Sequence, residues 1–385
     1  MTVWIVNPFD TLPTEGHRPL RYWLMAEAFA RAGHAVTYWT ADFNHVTKRS
    51  RDVAEDGSRH GFRVVAVHEP AYGRNVGLRR LWAHWRWARN WRSAAALEET
   101  PPDLVIVSSP PLAIGAEARK VAKRCGARFV VDVMDAWPET FERVAPRWAL
   151  WPLRSLVRRN YLATDAVTTV ADGYLDTVRG YGYRGEARRF YHGISLGAPQ
   201  DRSADGERPV KIVYAGNLGR TYDIRTAMEA VALLDGATLE IAGKGDCEAD
   251  LRSAAEDPRL KGRVAFRGYL GEGELAAFLA SGDVGLVPMS PESCVGIPYK
   301  LADYSRAGLA VASSLGGESD RLLAKYGAGT GYRPGDAKSL AEAVRRLVPR
   351  LAEAKRASRR MAESEFDASR IYGDYVRFAC GEEGR

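Results

Sequence analysis

Short, almost continuous apolar runs recur along the chain, each followed by a loop and then by apolar residues at helical spacing. The first, 3–7 (VWIVN), stops at Pro8 and opens a loop over 9–16 rich in Pro, Asp, Thr and Gly. From about Pro19 to Ala32 the spacing of Leu20, Trp23, Leu24 and Phe29 predicts a helix that ends at Gly33, and 35–40 (AVTYWT) reads as a second strand. Strand, loop, helix, glycine, strand is the signature of a parallel βαβ unit. The rhythm repeats at 103–109 (DLVIVSS), a helix from about Leu112 to Lys123, 127–132 (ARFVVD) and 166–170 (AVTTV). Strands apolar almost throughout are covered on both faces.

Periodicity is lost over 194–209, where Gly, Pro, Asp and Ser gather as in a linker. A second series then begins with 210–215 (VKIVYA), the loop 216–219 (GNLG) and a helix over Ile224–Leu234, and continues through 238–242, 264–266, 284–287 and 309–312. Helices over Ala337–Leu347 and Val348–Glu363 and a last segment, Ile371–Cys380, close the chain. The expected fold class is α/β, with two tandem Rossmann-like domains: residues 1–195, on which 371–385 is a candidate to pack back, and residues 196–370. Such a pair is expected to face one another across a cleft at the carboxyl ends of both sheets.

A length of 385 residues fits two domains of roughly 150–200 residues. No window approaches the roughly 18–20 apolar residues of a membrane span, and no signal-peptide layout follows Met1, so the expected address is cytoplasmic. Cys125, Cys247, Cys294 and Cys380 show neither CxxC nor Cys/His metal spacing. Charge is uneven: residues 1–200 carry 28 Lys and Arg against 20 Asp and Glu, the remainder 27 against 28, and all ten tryptophans lie between Trp4 and Trp151. The first half is therefore expected to meet something anionic.

Three glycine-containing loops stand where backbone amides before a helix could hold an anion, or simply make a tight βα turn: Thr14 to His17, Gly216 to Arg220, and Ala242 to Asp246. None is a GxGxxG or a GK[ST] loop, which removes support from dinucleotide oxidoreductases and P-loop kinases. Arg220 follows its glycine directly and precedes Arg225 by five positions, so two guanidiniums could converge on a diphosphate without a metal.

In order and spacing, 213–226 (VYAGNLGRTYDIRT), 239–245 (LEIAGKG), 264–270 (VAFRGYL), 283–288 (DVGLVP) and 296–313 (GIPYKLADYSRAGLAVAS) resemble the nucleotide-sugar half of family 4 retaining glycosyltransferases. Upstream, 104–110 (LVIVSSP) and 131–141 (VDVMDAWPETF) resemble its polysaccharide-building branch. The resemblance implies a GT-B fold, donor on the second domain, acceptor on the first, and no metal. It implies that Arg220 and Arg225 stabilise the departing diphosphate, Arg225 standing where the family has Lys. Gly219 then lies beside the phosphates and Gly268, Tyr269 and Leu270 meet the nucleobase. Gly296, Ile297, Pro298, Tyr299 and Lys300 form the turn at sugar and phosphate, and Asp303 grips the ribose. The family's Glu-x7-Glu is absent, with Val295 and Asp303 at its ends, so the first carboxylate is missing or supplied by Glu292 and sugar specificity does not carry over. In the first domain Met134 stands where many relatives have His. Asp135 is then the candidate to orient or deprotonate the acceptor hydroxyl, or else a helix cap. Glu15, Gly16 and His17 lie on the loop expected to face the donor.

Residues 79–92 (RRLWAHWRWARNWR) interleave tryptophan with Arg79, Arg80, Arg86, Arg89 and Arg92. On a helix this suits an anionic membrane surface; stacking on single-stranded nucleic acid or packing on the domain would use the same residues, and the resemblance favours membrane over nucleic acid. The expectation is a metal-independent retaining transferase moving a sugar from a UDP-linked donor to a saccharide or lipid-linked acceptor in polysaccharide or glycoconjugate assembly. A nucleotide-sugar epimerase of the same fold, a natural-product glycosyltransferase and a basic membrane- or nucleic-acid-binding protein without turnover are the alternatives.

Overall fold

The computed structural model describes residues 1–16, 18–51, 60–75, 77–143, 145–197, 209–291, 293 and 295–382. It divides into two compact units, one of Met1–Gly193 with the segment from Ala368 onward, the other of Ile194–Asp367.

In the first unit, β1 (Thr2–Val6), α1 (Arg21–Arg31) and β2 (Ala35–Ala41) are followed by a small antiparallel pair, β3 (Phe43–Asn44) and β4 (Arg49–Ser50). Then come β5 (Arg63–Val67), α2 (Leu78–Ala95), β6 (Leu104–Ser109), α3 (Leu112–Cys125), β7 (Arg128–Val133), α4 (Trp151–Leu162), β8 (Ala166–Thr169), α5 (Asp172–Gly180) and β9 (Glu186–Arg189). Seven strands form one parallel sheet in the order β5-β2-β1-β6-β7-β8-β9. Its order reverses between β1 and β6, so the crevice for a ligand opens where the chain leaves these strands.

Six of the tryptophans serve this unit's interior. Trp4, Trp23, Trp39, Trp87, Trp91 and Trp137 are buried, and Trp4, Trp39 and Trp91 meet edge to face with ring centroids 5.3–6.4 Å apart. Trp82, Trp85, Trp148 and Trp151 are exposed.

The second unit contains β10 (Val210–Ala215), α6 (Ile224–Ala232), β11 (Ala237–Ala242), α7 (Glu248–Ala254), β12 (Val264–Gly268), α8 (Glu272–Ala280), β13 (Val284–Val287), α9 (Tyr299–Arg306), β14 (Ala310–Ser313), α10 (Gly317–Tyr326), β15 (Gly329–Gly331), α11 (Ala337–Leu347) and α12 (Leu351–Met361). Its six strands run parallel in the order β12-β11-β10-β13-β14-β15, the same reversal between first and fourth strand. Residues of α11 three and four apart, among them Leu340, Val344 and Leu347, bury one stripe in the core of this unit.

The chain then returns to the first unit as α13 (Ala368–Cys380), which packs on α1. The Arg21 guanidinium makes a two-pronged ion pair with Asp132, at 2.7 and 2.8 Å and out of contact with water, and lies 5.9 and 5.7 Å from the rings of Tyr372 and Tyr375. Tyr22 and Thr168 hydroxyls donate to the same carboxylate at 2.8 and 2.6 Å. Burial alone would raise the Asp132 pKa; Arg21 and these donors hold it below the usual carboxylate range. Among the described residues, no helix is long and apolar enough to cross a membrane, and Cys125, Cys247 and Cys380 are free thiols.

Candidate functional site

In the second unit the site is made by the loops that leave β10, β11 and β13. The β10 loop is tied to the β13 loop by Asp223 N–H to the Pro288 carbonyl at 2.7 Å and Ser290 N–H to the Thr221 carbonyl at 2.9 Å. It is tied to the β11 loop by Gly216 N–H to the Ala242 carbonyl and Leu218 N–H to the Lys244 carbonyl, at 2.9 and 3.0 Å. This approach needs glycine. A Cβ on Gly243 would stand 1.8 Å from the Gly216 carbonyl oxygen, and the φ of Gly243, +136°, is one that L side chains rarely adopt.

Lys300, at the start of α9, brings its Nζ against the backbone of Gly216, where a Cβ would meet it at 2.3 Å, and sits 4.0 Å from the centroid of the Tyr222 ring. Gly219 lies on the β10 loop, Gly245 on the β11 loop against Leu218, Gly268 ends β12, and Gly296, Ile297 and Pro298 lead into α9. The Gly268 carbonyl accepts from Gly243 N–H at 2.7 Å, and Pro298 caps α9 in extended conformation. Tyr269 is largely exposed, Leu270 and Tyr299 are half-buried, and Asp303 lies half-buried one turn into α9. The structure thus brings together Gly216, Gly243, Gly245, Gly268 and Lys300.

The two arginines are arranged differently. Arg220 is exposed on the β10 loop itself and makes no ion pair among the described residues. Arg225 follows the Asp223 cap, whose carboxylate accepts from Thr226 N–H at 3.1 Å, and lines a groove with Met228, Glu229 and Arg259 beside α6. No contact joins the two arginines among the described residues.

In the first unit Asp135 lies just beyond the end of β7. Its carboxylate accepts from Ala136 N–H at 3.0 Å and from the Tyr174 hydroxyl at 3.4 Å, and burial raises its pKa. Glu15 turns inward: its oxygens accept from Leu12 N–H at 2.8 Å and Asn44 Nδ2 at 2.7 Å, with Arg51 Nε 3.4 Å away. Gly16, at φ +77°, closes the short 3-10 turn Pro13–Glu15. His17 and Glu292 lie outside the described residues.

A second group of polar side chains on this unit escaped the sequence reading. Glu69 follows β5 and His84 stands on α2; their side chains are essentially inaccessible, with His84 Nε2 3.8 Å from Glu69 Oε1. Arg80, one turn before His84, donates to its Nε2 at 3.3 Å and stacks 4.9 Å from the Trp137 ring and 5.4 Å from that of Phe9. His45 Nδ1 is 3.0 Å from the Tyr72 hydroxyl. Burial pushes the Glu69 carboxyl up to about 8 against the pull of Arg80, and burial together with Arg80 pushes His84 down to about 2. Of the arginines expected to surround the tryptophans of residues 79–92, Arg80 is instead half-buried. Arg80 turns into the domain with Trp87 and Trp91, while Trp82, Trp85, Arg79, Arg86 and Arg89 remain outside. The 3.6-residue spacing of Arg80, His84, Trp87 and Trp91 was the available signal.

Two parallel sheets with the same reversal of strand order, each with loops gathered at the carboxyl ends of its strands, have the architecture of the GT-B fold. Residues 20–191 match the family described as "Glycosyl transferase 4-like domain" and residues 209–349 that described as "Glycosyl transferases group 1". The chain belongs to the family 4 glycosyltransferases. It is similar to the amylovoran biosynthesis glycosyltransferase AmsK of Erwinia amylovora, 29% identical over 175 residues that span 43% of each protein, less than half of that relative's own length. Among solved structures it resembles sucrose-phosphate synthase from Thermosynechococcus elongatus, with a TM-score of 0.78 at 16% identity over 99% of this chain and 98% of that one. It also resembles Anabaena HepE in complex with UDP, with a TM-score of 0.72 at 13% identity over 99% and 100%. At these identities the structural likeness is one of fold.

Proposed function

We propose that this protein is a retaining, metal-independent glycosyltransferase that takes a sugar from a UDP-sugar held by the second unit and passes it to a saccharide or lipid-linked saccharide bound by the first. The observation that carries the reading is the junction of Gly216, Gly243 and Lys300: bare backbone and a cation at the carboxyl ends of parallel strands fit a diphosphate. HepE, of the same fold, is described in complex with UDP. Arg220 supplies the charge that meets the diphosphate as it leaves. The bond from the sugar's anomeric carbon to the diphosphate breaks, the bond to the acceptor oxygen forms on the same face, and the acceptor's proton passes to the leaving phosphate or to Asp135. AmsK, by its name, serves polysaccharide assembly, and a role of that kind is proposed here, at the cytoplasmic face of a membrane.

Thermal unfolding with UDP, GDP, ADP and TDP sugars tests the donor. A rise in melting temperature with UDP-sugars is expected, and no response to any nucleotide would sink the reading. The outward face of α2, with Trp82, Trp85, Arg79, Arg86 and Arg89, is proposed to lie on anionic lipid. Co-flotation with anionic vesicles at low salt, lost in Trp82→Ser/Trp85→Ser, is expected; failure of the wild type to float removes this attachment.

A further inference from the structure

Lys48 and Arg80 stand against one aromatic ring with no carboxylate to pair them. Lys48 Nζ lies 4.7 Å and the Arg80 guanidinium 5.9 Å from the centroid of the Tyr72 ring. Both donate to Asn75, Lys48 to its side-chain oxygen and Arg80 to its carbonyl, and these contacts are open to solvent. Neither cation makes an ion pair among the described residues. The carboxyls that act on Arg80, those of Glu69 and Asp135, are raised by burial, Glu69 to about 8, so Glu69 carries little charge at neutral pH. Burial and then the charge of Arg80 lower the Lys48 pKa, and burial with Arg80 and Lys48 pushes His45 down to about 3. Like charges gathered without a counter-charge are unfavourable.

The backbone adds to the positive excess. The helix α2 begins at Gly77 with no side-chain cap and no acidic residue in its first turn, where Arg79 and Arg80 stand instead. The amino end of a helix favours anions and disfavours cations. Lys48 is also the one non-glycine at positive φ among the described residues, at +59°, a conformation that asparagine adopts more easily. What lysine supplies there is an ammonium beside Asn75.

The group that answers these features is a small polyanion. A phosphate or diphosphate brings more than one negative charge and several acceptor oxygens to Lys, Arg and helix amides, whereas a metal ion is repelled by the same cations. Arg80 also stacks 4.9 Å from the Trp137 ring, and Trp137 N–H donates to the Asp135 carbonyl at 2.9 Å, so the cluster adjoins the candidate acceptor-orienting carboxylate of the same unit.

We propose that Lys48 and Arg80, beside Asn75 at the amino end of α2, bind a phosphate or diphosphate group through its anionic oxygens. That this group belongs to the acceptor, as the link between saccharide and lipid, rests on the glycosyl-transfer reading; the binding itself does not.

Calorimetric titration of the full chain with inorganic pyrophosphate tests it, after saturation with UDP to occupy the second unit and at low salt, where such binding is strongest. The wild type is expected to bind. Lys48→Asn is expected to weaken binding at least about tenfold, as loss of a hydrogen bond to a charged group implies, while melting at the same temperature or higher, because asparagine suits the left-handed backbone. Arg80→Gln, with the same expected loss, is the second variant, used if Lys48→Asn does not fold. No binding by the wild type at up to about 10 mM pyrophosphate, or undiminished binding in the folded variant, overturns the proposal. Geranyl diphosphate and phosphatidylglycerol vesicles separate the sources of the phosphate. Lys48-dependent binding of geranyl diphosphate supports a diphosphate-linked acceptor, and Lys48-dependent binding of the vesicles alone supports a membrane headgroup at the same site. UDP-sugar thermal shifts run alongside keep the two readings apart. Lys48-dependent pyrophosphate binding without any nucleotide response would sink glycosyl transfer alone, and a nucleotide response with Lys48-independent pyrophosphate binding would sink this inference alone.

Discussion

Two residues carry opposite demands. Asp10 is buried, and burial pushes its carboxyl up from 3.8 to about 6 despite the Tyr22 amide and the charges of Arg21 and Arg51. The folded chain therefore keeps a proton that the unfolded chain releases between about pH 4 and 6, and the Asp10 contribution to stability falls as pH rises through that window, levelling off above it. The shift corresponds to about 3 kcal/mol. Asp10→Asn keeps an acceptor for the Tyr22 N–H, 3.1 Å away, and cannot ionise. Urea unfolding across the window is expected to show the variant losing less stability than the wild type; parallel losses would clear Asp10. Arg220, by contrast, is exposed and without an ion pair among the described residues, so its removal should leave the fold intact. Arg220→Ala is expected to lower kcat by about 100-fold or more, with a smaller change in donor KM, because a charge that meets the leaving group acts in the transition state. Equal losses in binding and turnover would make Arg220 a ground-state contact only.

At the scale of elements, the β10 and β11 loops stand or fall with Gly243. Gly243→Ala drives a methyl into the Gly216 carbonyl and demands an unfavourable φ, so a loss of about 2–5 kcal/mol is expected, together with the UDP-induced rise in melting temperature. Gly273→Ala is the control. That glycine lies in α8 with nothing within 4 Å of its Cβ position, and the substitution should stabilise by about 0.4–1 kcal/mol. If both variants unfold at the same urea concentration, the close approach of the loops is not what Gly243 is for. These glycines were legible because a turn leaving a parallel strand announces itself in composition. The strands 210–215 and 284–287 were legible because both faces are covered and the runs are apolar. Other elements were not. β9 reads EARR and pairs on one side only, and β15 reads GTG, where a Cβ on Gly329 would meet the Val311 carbonyl at 2.1 Å. The α4 sequence buries only Val157, Asn160 and Tyr161, too thin a stripe to give a helical period. The buried Glu69–His84 cluster was hidden for another reason: Phe9, His45, Glu69, His84 and Trp137 come from five stretches that only the sheet order assembles.

For the whole molecule, the tryptophan excess of the first half changes meaning. Six of the ten rings build the interior of the first unit, so the excess speaks first to a core and only through Trp82, Trp85, Trp148 and Trp151 to a surface. That core is not complete within residues 1–193. Tyr372 and Tyr375 of α13 are fully buried against Arg21, the Tyr375 hydroxyl is 3.0 Å from that of Thr168, and Phe190 packs on Tyr375 and Phe378 with centroids 5.0 and 5.6 Å away. Ending the chain after Asp367 would expose the Arg21–Asp132 pair to water along one side and strip the rings that cover it. The pair is the keystone of β7, β8 and α1, and breaking a buried pair costs on the order of 3–5 kcal/mol, a large share of a domain's stability. The truncated protein is therefore expected to lose hydrogen-exchange protection in β1, β7 and β8, while amides of β10, β11 and β13, whose core contains nothing from α13, keep theirs. Protection retained in β7 and β8 would mean that the first unit closes its core without the returning helix. Loss in both units together would mean that their stabilities are coupled through more than the returning helix.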